Sequence, residues 1–383
     1  MPSTARYAGM RNHVLPGHAN VSRLSAALRH RLITEAEVVE AVLRRHAFRA
    51  VEKFVQEVLW RSYWKGWLEL RPEVWRRYRA AVGRMTLDGM AAQVAEGRSG
   101  SGVMNLFARE LLETGYMHNH ARMWWASFWV HHCGLPWELG ARHFFDHLLD
   151  ADPASNTLSW RWVAGLQTRG KTYLATEQNI RKYTAPEMLE EAGGIGLDES
   201  VAARIPEEDG VSNERPEIPP VFPPVAEASD VRAVLLLHDE DLSIERGPAA
   251  GLRPVSVVSF VAPTESPEPL PRARWLSAAR ADAARRAAEH FGVEVRGVRC
   301  GAEVAQACVE VGAERVVMVE TAVGPVREAL SGLPDALATR GISIERVRRR
   351  WDSELWPLAG RGFFPFWSKV GRRLEKHGVG AFA

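Results

Sequence analysis

The sequence predicts a multidomain α and α/β protein: an all-helical unit over residues 1–204, a Pro/Glu-rich linker over 205–230, and a doubly wound, parallel, five-stranded sheet unit over 231–383 that ends in a C-terminal tail. Three observations predict it. Up to residue 204, apolar residues recur at intervals of three and four, with no strand-like alternation. Residues 205–230 carry six prolines and seven acids against one basic residue, a composition that reads as an exposed, partly extended connection. Beyond it, short β-branched runs alternate with amphipathic stretches, as β-α-β winding requires.

In the first unit, Val51, Phe54, Val55, Val58, Leu59 and Trp67 mark a helix over 51–67, and Gly115 and Gly134-Leu135-Pro136 punctuate further helices. In the second, strands are predicted over 233–237, 255–260, 293–298, 316–319 and 342–347. Helices are predicted over 275–290, 302–311 and 323–338. Neither a Gly-x-Gly-x-x-Gly fingerprint nor a Walker loop accompanies them, which argues against ordinary dinucleotide or nucleoside triphosphate binding there.

With 383 residues, 46% apolar and 25% charged, the chain has soluble-globular usage. Cys133, Cys300 and Cys308 are too few and too scattered for a disulfide framework or a metal site. A reduced, cytoplasmic setting is expected, with no membrane segment, since the start lacks a signal-peptide core and no apolar run approaches about 18 residues. A monomer is expected. Ten of the fourteen Trp precede residue 165, so the first unit has either an unusually aromatic core or an aromatic task. Residues 1–204 carry 26 Lys or Arg against 21 Asp or Glu, the sign suited to a phosphate backbone. Arg44, Arg45, Arg49, Lys53, Arg76, Arg77, Arg79 and Arg98 could track one, although solvated helix faces explain the same charges.

The segment Asp150-Ala-Asp152-Pro-Ala-Ser-Asn156-Thr-Leu-Ser-Trp160-Arg-Trp162 is the most informative. It packs two acids, an amide and two indoles into little more than three helical turns. Acids and Asn favour caps and turns, where they hydrogen-bond a ligand or the backbone, and indoles bring large π-surfaces. The mixture suits a flat, polar, redox-active aromatic ligand; a helix N-cap is the plainer reading of Asp152 and Asn156.

Three further blocks stand in line with it: Ser22-Arg23-Leu24-Ser25-Ala-Ala-Leu28, Glu57-Val-Leu-Trp60-Arg61-Ser-Tyr63-Trp64, and Thr114-Gly-Tyr-Met117-His118-Asn119-His120-Ala-Arg122-Met123. Together the four resemble the flavin domain of DNA photolyases and cryptochromes over roughly 7–183. The second unit, from Val234-Leu-Leu-Leu-His238 to Gly360-Arg-Gly-Phe-Phe-Pro365-Phe-Trp367, resembles the antenna domain of that family, which usually comes first. The resemblance therefore implies a circular permutation, with 205–230 joining the old ends; cuts in exposed linkers are tolerated.

The resemblance implies FAD as cofactor. Tyr7, Ser22, Arg23, Leu24 and Ser25 match the residues around its diphosphate, a role that hydroxyls, backbone amides and a guanidinium suit chemically. Asn119 and Arg122 match flavin-side residues, with Asp150 as the partner of Arg122. Asp152 matches the acid at the isoalloxazine edge and Asn156 the amide facing N5, as donor or acceptor. Glu57, Trp60, Met123 and Trp162, with Asn156, match the catalytic pocket for a cyclobutane pyrimidine dimer. Trp160 and Trp137 match the first two electron-transfer positions; the third is not where the family has it, and Trp75, Tyr78 or Trp125 could replace it.

For DNA, the resemblance points to Trp60, His120, Trp162, Arg169 and Lys171. The last two stand in an altered loop that lacks the arginine of the family, and His120 stands where DNA-repairing relatives commonly carry an arginine. No metal is implied. The expected function is light-dependent DNA repair by a deoxyribodipyrimidine photolyase-like lyase. Photoexcited reduced FAD would pass an electron to a flipped-out dimer, photolyases being themselves among the base-flipping enzymes. The alternative is a cryptochrome-like blue-light photoreceptor that binds FAD without repairing DNA. For the second unit the resemblance allows an antenna chromophore (a folate, a deazaflavin or a second flavin) or none.

Overall fold

The computed structural model describes residues 4–168, 171–207, 231–263, 269–360 and 362–382. Arg169 and residues 208–230 of the expected linker lie outside the described residues.

The Phe48–Glu69 helix is the spine of the N-terminal part and buries Val51, Phe54, Val55, Val58, Leu59 and Tyr63. Around it, local chemistry sets the helix ends. Thr34 and Glu37 form a reciprocal capping box at the start of Glu35–Leu43, and Gly115, at φ 69°, closes Gly102–Thr114 in the left-handed conformation that glycine adopts at little cost. Asn119–Ser127 runs on into a π-helical turn, Phe128–His132. Much of the tryptophan richness is core: Trp124, Trp125, Trp129 and Trp160 are fully buried, each contributing roughly 1.5–3 kcal/mol or more by burial.

The sheet consists of β1 (Ala233–His238), β2 (Ser256–Phe260), β3 (Val295–Val298), β4 (Arg315–Val319) and β5 (Ser343–Val347), all parallel, in the order β3-β2-β1-β4-β5. Every residue of central β1 is buried. Val234 and Leu236 enter one core, with Gly301–Glu310 and Leu333–Ala338, while Ala233, Leu235 and Leu237 enter the other, with Leu270–Phe291. This is the two-sided burial of a doubly wound sheet. Edge strands β3 and β5 carry Arg296, Glu345 and Arg346, charges that discourage edge-to-edge pairing. The helix predicted over 323–338 is two, Pro325–Ala329 and Leu333–Ala338, the second opening on Pro334.

The chain after β5, placed by sequence with the sheet unit as a tail, packs into the helical core instead. Trp351, Leu355, Phe363, Phe366, Val370 and Leu374 share one apolar cluster with Val51, Phe54 and Val58. Helices already cover both faces of the sheet, so the apolar side of Phe363–His377 buries itself against the helical part. Contact is close: a Cβ on Gly66 would lie 2.7 Å from the Trp356 backbone, so this crossing requires glycine.

Polar contacts also join the sheet to the helices. The Leu242 amide donates to the His30 carbonyl at 2.9 Å, Trp75 Nε1 to Glu328 at 2.6 Å, and Arg327 Nη2 to Glu69 at 2.8 Å. Among the described residues no helix is long and apolar enough to cross a membrane.

Candidate functional site

Segments far apart in sequence meet at two carboxylates. Asp152 caps Pro153–Val163, its Oδ1 accepting from the Ser155 amide at 2.7 Å, while Oδ2 accepts from Arg61 Nη1 at 2.9 Å. The cap engages one oxygen, so the capping and ligand-binding readings of Asp152 are compatible. Arg61 also donates to the Ser25 carbonyl at 3.4 Å, and the Ser25 side chain hydrogen-bonds Asp150. Arg122 Nη1 donates to Asp150 at 3.0 Å and its Nε to the Met117 carbonyl at 2.9 Å. Burial pushes both carboxyls up. Arg61, Lys65 and Arg29 around Asp152, and Arg122 and Arg61 around Asp150, outweigh it, so both stay below the usual carboxylate range and are anionic.

A second polar group surrounds Tyr116. The Arg23 guanidinium lies 4.9 Å and that of Arg122 6.0 Å from its ring centroid. The His18 ring is 5.0 Å from Tyr116 and 5.6 Å from His118. Arg23 holds φ 53°, an uncommon conformation for a non-glycine residue. Ser22 and Arg23 are exposed, and Leu24 and Ser25 half-buried. Tyr7 packs edge-on to Phe54 at 5.2 Å, its hydroxyl pushed up by burial and by Glu57.

One imidazole tests whether a ligand fits here. His118 Nδ1 accepts from the His120 amide at 3.1 Å. Burial pushes its pKa down to about 3, so the ring is neutral and its single proton sits on Nε2. That Nε2–H is buried without a partner, as are His18 Nδ1 and Glu110 Oε2. Unpaired buried polar groups cost about 1–3 kcal/mol each. With Arg23 and Arg122 both over the neighbouring Tyr116 ring, the donors of this group could hold the phosphates and polar ring edge of FAD.

Asn156 Nδ2 donates to the Ala141 carbonyl at 2.7 Å. A carbonyl can only accept, so the amide nitrogen must face it, and Oδ1 together with the second Nδ2 hydrogen remains for a ligand. The fold fixes which way the amide points and keeps the donor and the acceptor reading both open. Trp160 makes ring contacts with Phe144 at 5.1 Å, Trp125 at 6.2 Å and Trp129 at 6.5 Å. Trp137 instead stacks on Tyr78 at 5.6 Å, which lies 5.4 Å from Trp75. Thus Tyr78 and Trp75 continue from Trp137, whereas Trp125 touches Trp160.

On the expected substrate side, Glu57 accepts from Arg11 Nη1 at 2.7 Å and lies 3.3 Å from Lys53. Trp60, Met123 and Trp162 are half-buried. Trp60 lies on Phe363, and Trp162 stacks on Tyr173 at 5.6 Å. Asn119 is exposed at the first turn of its helix, and Lys171 is exposed.

His120, expected at the DNA, faces inward. It is buried, its Nδ1 hydrogen-bonds the Asn12 carbonyl at 2.8 Å, and its ring lies 4.2 Å from Trp124. Burial lowers its pKa, which keeps it uncharged. Of the basic residues singled out, Arg44, Arg49, Lys53, Arg79 and Arg98 pair with Glu40, Glu375, Glu57, Glu328 and Glu96. Sequence reasoning assigned no role to Arg11, Tyr116, His118 or Phe363. For His118 a signal existed, its place inside a quoted block, but its orphan nitrogen is a tertiary fact.

Residues 54–188 match the family model described as the FAD binding domain of DNA photolyase. The chain is 33% identical over 186 residues to a deoxyribodipyrimidine photo-lyase of Streptomyces griseus, covering 45% of this chain and 40% of that protein. It is 41% identical over 70 residues to cryptochrome-2 of Arabidopsis thaliana, covering 18% and 11%. Among solved structures it is similar to a bacterial class III photolyase from Agrobacterium tumefaciens, with TM-score 0.41 and 24% identity over 54% of this chain and 50% of that one. The chain spans less than half the length of the curated relatives it matches.

Proposed function

We propose that this chain, which carries the FAD-binding domain of the DNA photolyase and cryptochrome family, is a light-driven flavoprotein that splits cyclobutane pyrimidine dimers in DNA. One observation carries the reading: Trp60 and Trp162 each keep exposed surface while a second aromatic, Phe363 or Tyr173, backs the ring, and Glu57 stands one helical turn before Trp60. An indole backed in this way is a pre-ordered stacking surface, and stacking a base on an aromatic ring is worth about 1–3 kcal/mol.

When bound, reduced FAD supplies the photoexcited electron. Ser22 and Arg23 would hold its phosphates, and Arg122, oriented by Asp150, its polar ring edge. Asp152 and Asn156 Oδ1 would accept hydrogen bonds from ring N–H groups, which favours the protonated, reduced form. Trp60 and Trp162 would stack a dimer flipped out of the duplex, and the Glu57 carboxyl would hydrogen-bond its base edge. Trp160 would return electrons through its aromatic neighbours. The order of the two units is read as a permuted arrangement of this family, a reading supported by the packing of residues 350–360 and 362–382 into the helical core.

A second reading, a blue-light photoreceptor without repair, is favoured by the inward, uncharged His120 and the paired basic residues. The test is loss of dimers from a dimer-containing oligonucleotide under blue light against darkness. Repair in light supports the proposal; flavin photoreduction without repair transfers it to the photoreceptor.

A further inference from the structure

Strand β1 runs directly into three consecutive acids, Asp239-Glu240-Asp241, and the helical part presents Arg29, His30 and Arg31 to them. Two of the acids form closed local pairs. Asp239 binds Arg280 through two hydrogen bonds of 2.8 and 2.6 Å, and Asp241 binds Arg349 at 2.6 Å and Arg31 at 3.4 Å. Glu240 differs because its partners lead to the candidate flavin site. Arg29 Nη2 donates to Glu240 Oε1 at 2.6 Å, while Arg29 Nε lies 3.8 Å from Asp152 Oδ2 and donates to the Ala151 carbonyl at 3.3 Å. Lys65 Nζ stands 3.7 Å from Glu240 Oε2. All four side chains are at most 5% exposed.

We propose that Glu240, a residue of the sheet unit, is a positioning residue for the flavin site: by holding Arg29 and Lys65 it fixes the orientation and electrostatic surroundings of Asp152. The last step, from Asp152 to flavin, rests on the FAD reading above. In this cluster Arg29, Arg61, Lys65 and Arg122 face Asp150, Asp152 and Glu240, an excess of one positive charge in a largely buried site where Coulomb interactions are strong. Removing the Glu240 charge raises that excess. It also frees Arg29 to close on Asp152 in competition with Arg61. Both changes favour an anionic reduced flavin over the neutral oxidised one.

The test uses the full chain and reads two quantities. The first is a double-mutant cycle of urea unfolding with Glu240→Gln, Asp152→Asn and the pair; non-additivity of about tenfold or more in the folding constant is expected for groups sharing partners. The second is the midpoint potential of added FAD. Glu240→Gln is expected to favour reduced over oxidised flavin on the order of tenfold, about 30 mV more positive for a two-electron couple. Glu240→Asp is expected to restore part of the shift, and Asp241→Asn, which removes a neighbouring buried charge without touching the Asp152 partners, to leave the potential unchanged. An additive cycle overturns the proposal, as does an unmoved potential in a folded Glu240→Gln protein. Failure of the unaltered chain to take up FAD overturns the FAD reading instead, and the cycle alone then decides the link between Glu240 and Asp152. If Glu240→Gln does not fold, Glu240→Asp carries both comparisons.

Discussion

Trp60 lies face to face with Phe363, their ring centroids 3.8 Å apart and their planes 8° from parallel. Trp60 is on the helix that also carries Glu57 and Arg61, whereas Phe363 opens the long helix that follows the sheet. The stack therefore clamps the C-terminal helix to the helical core and stiffens one wall of the proposed substrate pocket.

Phe363→Leu keeps an apolar side chain but removes the stack. An aromatic pair is worth about 0.5–1.5 kcal/mol beyond its buried area, so urea unfolding should register a loss of about 1 kcal/mol. Affinity for dimer-containing DNA should fall with it. Phe364→Leu, at a residue 70% exposed, should stay within about 0.5 kcal/mol of the unaltered chain.

Photoreduction of bound flavin should depend on Trp160, a buried ring in contact with Trp125 and Trp129. Trp160→Phe is expected to abolish the fast phase in time-resolved absorption. Tyr78→Phe, which removes an oxidisable ring between Trp137 and Trp75, should slow the later phase and leave the first. An intact fast phase in Trp160→Phe would remove that residue from the pathway.

What was legible in the sequence depended on the range of the interaction. The β-branched runs located all five strands: two-sided burial selects such residues locally in β1, β2 and β4, and β-branched propensity marks the more exposed edges β3 and β5. Asp152 was legible as a cap for the same reason: its partner, the Ser155 amide, is three residues away. The amide orientation of Asn156 was not, since it is set by a carbonyl on another helix. Nor was the partner of Phe363–His377, whose apolar face announces burial without saying against what. The ion pair of Arg29 with Glu240 crosses 211 positions; its only trace in sequence is complementarity between Arg29-His30-Arg31 and Asp239-Glu240-Asp241.

Acid should weaken the fold through histidines before carboxylates. His143 is buried, stacks on Trp125 at 5.6 Å, and has no hydrogen-bond partner on either ring nitrogen. Burial pushes its pKa down to about 3, against an ordinary value near 6.5. Between these values the unfolded chain holds a proton that the fold does not, so stability falls as pH drops from about 6.5 towards 3. The slope from one such group is about 1.4 kcal/mol per pH unit. His118 and His30, pushed down to about 3 and about 4, act with the same sign. Asp150 and Asp152, held below the usual range, contribute stability that is present above about pH 4 and lost only at lower pH. Urea unfolding of His143→Phe between pH 6 and 4 should show a shallower dependence by about one proton; an unchanged slope would mean that His143 is charged in the fold.

DNA binding should distinguish the exposed cation from the buried imidazole. Each phosphate neutralised by a cation contributes about −0.9 to the slope of log affinity against log salt on duplex DNA. Lys171 is exposed in the loop after Trp162, so Lys171→Ala should make the slope shallower by about that amount. His120 is held neutral by burial and bonded to the Asn12 carbonyl, so it releases no counterion. His120→Ala should therefore leave the salt slope at pH 7 unchanged, even where lost packing against Trp124 lowers stability. Titrations of both variants with a dimer-containing duplex across a salt series decide the matter, and a slope altered by His120→Ala would place that ring on the DNA after all.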